Sequence, residues 1–282
     1  MNNPVELPPL RDVIAAHGLD ARKSLGQHFL LDMNITRKIA RLANASPEDV
    51  VIEIGPGPGG LTRALLETGA RVIAVERDDR CLALLGELSD AYGRLEIEAG
   101  DALDYDIAKA SNGEGGAVKI VSNLPYNIST ELLVRWLRAN ADRARPAWRS
   151  MALMFQKEVA DRILAAPGSK TYGRLSIVAQ AASQPHRGFD LPARAFTPPP
   201  KVDSTVITFE PAPIDFDFAA LERITQAAFS QRRKMLRSSL KPVFGPRTED
   251  VLAAVAVPPD ARAEAVSVDR FIALSKALED AA

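Results

Sequence analysis

Apolar positions alternate between two spacings along this chain. Met33 to Ala43 carries Ile35, Ile39 and Leu42 at helical intervals, with Asp32 placed to cap the helix. Val50-Val-Ile-Glu-Ile54 is a short apolar run of the kind that forms a buried strand, and Gly60 to Glu67 then opens a helix. Arg71 to Glu76 predicts a second strand and Asp79 to Leu88 a second helix. Leu95 to Glu98 and Val118 to Val121 predict a third and fourth strand, the latter followed by a helix over Ser129 to Arg138. Met151 to Phe155 predicts a fifth strand and Gln156 to Ala165 the helix after it. A short helical pattern also covers Leu10 to His17. Strands alternating with helices imply a parallel sheet covered on both faces.

The rhythm changes after a helical stretch at Leu175 to Ala182. Gln184 to Phe189 and Val202 to Phe209 predict two strands, the second preceded by Thr197-Pro-Pro-Pro200, which fits a hairpin at the sheet edge. Pro211-Ala-Pro213 reads as a boundary. Beyond it the pattern is helical over Phe218 to Phe229, Arg233 to Leu240, Thr248 to Val255, Ala261 to Ala265 and Ser267 to Leu278. The expected organisation is an α/β domain over residues 1–211, including an N-terminal extension, and a small all-helical domain over residues 212–282.

Composition narrows the setting more than the chemistry. The 282 residues include a single cysteine, Cys81, so no intramolecular disulfide can form, which suits a reducing cytoplasm. The first dozen residues hold Pro4, Glu6, Pro8, Pro9 and Asp12, unlike a secretory signal, and no apolar run approaches the roughly 18 residues of a membrane span. The net charge of −1 conceals an uneven distribution. Val50 to Ala110 holds twelve acidic against six basic residues, while Ala219 to Phe244 holds six basic residues against Glu222 alone. An acidic half suited to a cofactor and a basic half able to meet phosphates are both present, although solvated helix faces are also often charged.

The candidate chemistry begins at Glu53-Ile-Gly-Pro-Gly-Pro-Gly59. Gly55, Gly57 and Gly59 fit one nucleotide-turn spacing, and Gly55, Gly57 and Gly60 fit another, so spacing alone does not separate S-adenosylmethionine from NAD. Glu53 tips the choice to S-adenosylmethionine. Its carboxylate at the strand end would attract an ammonium or sulfonium and repel a pyrophosphate. Glu76 closes the next strand and can accept from both ribose hydroxyls, unless it is a plain surface residue. Asp101, in Gly100-Asp101-Ala102, can accept from the adenine amine of the cofactor or cap the next short helix.

Asn123-Leu-Pro125-Tyr126 follows the fourth strand and is the acceptor-side candidate. The Asn123 amide can accept from an adenine N6 amine, Pro125 stiffens the turn, and Tyr126 can stack on the ring. Hydrogen bonds to both N–H groups favour a tetrahedral nitrogen whose lone pair points at the donor methyl. Attack then needs positioning rather than a strong base. Phe196, in Ala195-Phe-Thr-Pro-Pro-Pro-Lys-Val-Asp-Ser204, either supplies a second stacking face or belongs to the core. One cysteine and three scattered histidines, His17, His28 and His186, do not make a usual zinc site, so no metal is expected. Cys81 lies in an apolar helical run and reads as core.

Taken in order, Lys23-Ser-Leu-Gly-Gln-His-Phe-Leu30, Glu53 to Gly60, Glu76, Gly100-Asp101, Asn123 to Tyr126, Phe155-Gln-Lys-Glu158, Phe196 to Ser204 and Phe229-Ser-Gln-Arg-Arg-Lys234 resemble the rRNA adenine N6,N6-dimethyltransferases, from about Arg22 to the end. The resemblance implies a class I, Rossmann-like S-adenosylmethionine-dependent methyltransferase sheet with a small helical C-terminal domain. It carries over His28, Leu30, Gly55, Glu76, Asp101 and Asn123 as cofactor positions, His28 through its backbone. It implies dimethylation of two adjacent adenosines near the 3′ end of 16S rRNA, in the small ribosomal subunit or its precursor, by a monomeric enzyme with a role in subunit biogenesis. A large-subunit or DNA adenine target and a non-catalytic assembly factor are the alternatives. The helical tail with its basic run favours the small subunit.

Overall fold

The computed structural model describes residues 7–19, 21, 27–111, 118–141, 146–231 and 233–279. The chain begins with α1 (Leu10–Ala16), β1 (Phe29–Leu30), α2 (Met33–Leu42), β2 (Val50–Ile54), α3 (Gly60–Glu67), β3 (Arg71–Glu76) and α4 (Asp79–Tyr92). It continues through β4 (Leu95–Ala99), α5 (Ile107–Ser111), β5 (Val118–Asn123), α6 (Ser129–Ala141), β6 (Trp148–Gln156), α7 (Lys157–Ile163) and α8 (Arg174–Ala182). Then come β7 (Ser183–Leu191), β8 (Phe196–Thr197), β9 (Ser204–Pro211) and α9 (Phe218–Ala228). The chain closes with α10 (Leu236–Ser239), α11 (Lys241–Phe244), α12 (Thr248–Ala254) and α13 (Val268–Glu279).

Seven strands form one sheet in the order β4-β3-β2-β5-β6-β9-β7. Neighbours from β4 to β6 are parallel, and β9 runs against both of its neighbours, so β7 and β9 make the expected antiparallel edge. β2 lies inside the sheet between β3 and β5 with helices on both faces, which explains its unbroken burial from Val51 to Ile54. Strand order reverses between β2 and β5. The loops leaving these two strands part there and open a cleft at their carboxyl ends, where open α/β sheets bind ligands.

Capping follows the sequence. The Asp32 side chain accepts from Asn34 N at the start of α2, and Asp78 accepts from Arg80 N at the start of α4. α4 runs four residues beyond its expected end and stops at Gly93, which takes the left-handed conformation at φ 63°. α3 has no side-chain cap, and Gly60 to Leu66 are all buried, so the helix is held by packing. β1 and β8 were outside the expected strands. They pair antiparallel, Phe29 with Thr197 and Leu30 with Phe196, and two residues are too few for a periodic signal.

The C-terminal pattern is helical, with one departure. Arg233 to Met235 do not join a helix ending at Leu240, because Met235 bridges Arg262 and Leu236 N donates to Ala261 O at 2.8 Å. Ala263–Ala265 forms a single 3₁₀ turn. One core runs without a break from Ile52, Ile120 and Leu153 on the sheet, past α6 and α8, to Phe218, Leu221 and Phe271. The largely buried Glu222 carboxylate on α9 pairs with Arg138 of α6 and with Arg174 of α8, the latter at 3.2 Å. Residues after Pro211 therefore change secondary structure without starting a separate core. No helix among the described residues is long and apolar enough to cross a membrane.

Candidate active site

β2 carries Glu53 and Ile54 into the cleft, and the chain then turns through Gly55 to Gly59 into α3. At Gly57 φ is +55°, and a Cβ there would lie 3.3 Å from Phe29 Cε1. At Gly60 a Cβ would lie 2.5 Å from the Leu30 carbonyl oxygen. The turn thus passes directly beneath β1, leaving backbone rather than side chain exposed to the cleft.

Glu76 ends β3 almost fully buried. Its Oε2 accepts from Gly57 N at 3.0 Å, and its Oε1 accepts from Arg77 N at 2.8 Å and Asp78 N at 2.9 Å. Burial pushes the carboxyl above its ordinary range, and the three backbone donors partly offset that. A carboxylate offers about four acceptor sites. Three are taken, so one ribose hydroxyl can be accommodated without displacing an amide.

Asp101 stands at the rim of the cleft, where it caps a turn rather than a helix. Oδ1 accepts from Leu103 N at 3.0 Å in a local turn, and Oδ2 pairs with Arg77 Nη1 at 3.0 Å across the rim of the cleft. Gly100 N donates to Glu76 O at 2.9 Å, tying the two strand ends together. Glu53 is only 2% exposed. Its Oε2 accepts from Thr62 Oγ1 at 2.7 Å. Burial pushes its carboxyl up to about 8, against the Thr62 hydrogen bond and with help from the nearby Glu76 charge.

On the other side of the cleft, β5 ends at Asn123. The Asn123 Nδ2 donates to the His28 carbonyl at 3.3 Å. That leaves Oδ1 with no donor among the described residues, free to accept from a ligand amine. Pro125 lies against Gly55, whose Cβ would stand 3.3 Å from Pro125 Cγ. The Tyr126 hydroxyl meets Ser204 Oγ at 2.7 Å, and its ring stacks with His28 at 5.7 Å between centroids and 27° between planes. His28 Nδ1 lies 2.8 Å from the Pro198 carbonyl, so that nitrogen carries the proton and donates.

His28, Leu30, Gly55, Glu76, Asp101, Asn123, Pro125 and Tyr126 all line one cleft of about 1010 Å³, counting the space at its open mouth. Phe196 does not. Its ring is 2% exposed and packs among Leu30, Leu61 and Val206, because pairing of β8 with β1 turns it inward. The second stacking face expected of Phe196 is withdrawn. Lys23 to Gly26, Arg22 and Arg232 lie outside the described residues. Sequence reasoning missed Thr62, Arg77 and Ser204 as partners of Glu53, Asp101 and Tyr126. Of these only Ser204 stood in a quoted motif, and none has a spacing that announces its partner. No cluster of three metal-ligating side chains occurs among the described residues.

The family model for ribosomal RNA adenine dimethylase matches residues 18–280. The ribosomal RNA small subunit methyltransferase A of Mesorhizobium japonicum is 55% identical over 279 residues, covering 96% of this chain and 98% of the relative. The protein of the same name from Phenylobacterium zucineum is 56% identical, covering 96% of this chain and 93% of its own. Among solved structures, a dimethyladenosine transferase from Plasmodium falciparum superposes with a TM-score of 0.76 at 27% identity, covering 90% of this chain and 98% of that one. The 23S rRNA methyltransferase ErmE shares the fold, with a TM-score of 0.67 at 23% identity over 89% of this chain and 99% of its own.

Proposed function

The chain belongs to the ribosomal RNA adenine dimethylase family, and from that premise we propose that it dimethylates the N6 amines of two adjacent adenosines near the 3′ end of 16S rRNA, with S-adenosylmethionine as methyl donor. The observation that carries this reading is the Asn123 amide. It is pinned through Nδ2 to the His28 carbonyl and keeps Oδ1 available in the same cleft as Glu53, Glu76 and Asp101. The small-subunit target is supported by the names of the relatives at 55% and 56% identity.

The residues present suit the donor. Glu53 presents a buried carboxyl for a cationic group, Glu76 keeps one acceptor site for a ribose hydroxyl, and Asp101 lies at the rim for an adenine amine. When bound, S-adenosylmethionine supplies an electrophilic methyl group on a sulfonium. On the acceptor side, Asn123 Oδ1 accepts from N6–H of the target base, and Tyr126 stacks on its ring. The bond to Asn123 strengthens as the nitrogen becomes cationic, so it stabilises the transition state more than the ground state. The cationic nitrogen sheds its proton readily, which is why a neutral amide suffices where a general base might be sought. Leu124, between Asn123 and Pro125, is packed into the core and holds the turn that presents them to the cleft.

Docking of the rRNA falls to residues 212–282, where the exposed Arg233, Lys234, Arg237 and Lys241 supply counter-charge to phosphates. Incubation of the protein with methyl-labelled donor and with unmethylated small or large subunits tests the target. Label in small-subunit RNA is expected, and label confined to large subunits would contradict the proposal.

A further inference from the structure

A stacking platform selects a base only if the plane of its ring is held. Tyr126 sits on the loop between β5 and α6, where local contacts fix its backbone: Ile128 N donates to Pro125 O at 3.2 Å, and Ser129 Oγ donates to Tyr126 O at 3.1 Å. The ring itself is held from elsewhere, by a single distant segment. Ser204, the first residue of β9, is fully buried and fixed between Gln156 of β6 and Leu191 of β7. Its Oγ meets the Tyr126 hydroxyl at 2.7 Å. Six residues earlier the Pro198 carbonyl accepts from His28 Nδ1 at 2.8 Å, and the His28 ring covers one face of Tyr126.

The segment from Phe196 to Ser204 therefore reaches Tyr126 by two routes. Phe196 roots it, with its ring in the core and its backbone paired to Leu30. The prolines between hold the two anchors apart, since each fixes its own φ. A base inserted between His28 and Tyr126 would need two stacking steps of about 3.4 Å. The centroids stand only 5.7 Å apart, so no base fits between the two rings as they are placed, and His28 backs the platform.

We propose that Ser204 and His28 are positioning residues for the target adenine, Ser204 by holding the phenol oxygen of Tyr126 and His28 by covering one face of its ring. The proposal rests on the reading of the cleft as an adenine-methylating site. It assigns the proline-rich segment a bracing role in place of a stacking one. Neither Ser204 nor Pro198 lines the cleft, so the proline-rich segment acts on the site through Tyr126 and His28 and not by contact with the donor.

Single-turnover methylation of unmethylated small subunits and calorimetric donor titration, with the full chain, test it. A wild-type chain that transfers no methyl overturns the functional reading itself. Given wild-type transfer, Ser204→Ala and Tyr126→Phe should each slow it by about 2- to 13-fold, the equivalent of one net hydrogen bond. The double variant should be no slower than the worse single one, because both remove the same bond. Ser204→Thr should recover most of the loss, and donor affinity should stay within about twofold of wild type throughout. His28→Ala should slow transfer several-fold, and His28→Phe should recover much of that loss. Multiplying losses in the double variant, donor affinity falling in step with rate, or faster transfer in His28→Ala, which would make the ring a gate, would each overturn the proposal.

Discussion

Asn123, at the end of β5, donates its side-chain amide to the backbone carbonyl of His28, just before β1, at 3.3 Å. The carbonyl can only accept, so Nδ2 must face it and Oδ1 must face away. The amide is thus oriented before any ligand arrives, and no rotation is needed at the moment of reaction.

Asn123→Ala should slow methyl transfer by roughly 10- to 150-fold, the range of one hydrogen bond to a charged group. Donor affinity should change less, because the bond matures only as N6 becomes cationic. Single-turnover rates with calorimetric titration measure both. A wild-type rate in the variant would remove Asn123 from the acceptor site.

Glu76→Ala should weaken donor binding by roughly 10- to 150-fold and also lower stability by at least about 1 kcal/mol. The second effect arises because Gly57, Arg77 and Asp78 would each lose the carboxylate that satisfies their N–H groups. Calorimetry and denaturant unfolding report the two effects separately. Unchanged donor affinity would place the ribose elsewhere.

The Glu53 carboxyl, pushed up from 4.5 to about 8, holds its proton in the folded chain where the unfolded chain has lost it. Its contribution to stability is therefore whole below pH 4.5, declines as pH rises and is gone above about pH 8. Glu53→Gln should flatten that slope, so the variant gains on wild type as pH rises through this window. A cation placed beside Glu53 favours the carboxylate. Donor binding near neutral pH should accordingly release a proton, detected as a binding heat that varies with the ionisation enthalpy of the buffer. Parallel stability profiles for the two proteins, with a buffer-independent heat, would contradict the assignment.

The strand–turn–helix from Val50 to Glu67 was legible because a buried apolar run, a glycine turn and helical spacing follow one another directly. Glu76 and Asn123 were legible from their places at strand ends. The position of Phe196 was not. An aromatic beside three prolines is compatible with a cleft or a core, and the choice is made by pairing with Leu30, which leaves no local trace. The same holds for Ser204 and His28, whose partners come from distant segments, and for Arg233 to Met235, where the bridge to Arg262 overrides a helical pattern.

Phe196→Ala follows from that correction. Removing a large ring from the core should cost about 3–5 kcal/mol of stability. At equal concentrations of folded protein, the ratio of mono- to dimethyladenosine should match wild type. An altered ratio with unchanged stability would return the ring to the cleft.

Dimethylation of adenine amines in 16S rRNA leaves a product that can be read directly from the modified nucleosides. Nucleoside mass spectrometry of rRNA from unmethylated small subunits, taken after incubation with the protein and S-adenosylmethionine, tests it most directly. N6,N6-dimethyladenosine is expected at two adjacent positions near the 3′ end of 16S rRNA, with at least about tenfold less of it in a parallel reaction with Asn123→Ala at matched early times. Methylation at another base or atom, or none with fully folded, donor-binding protein, would contradict it.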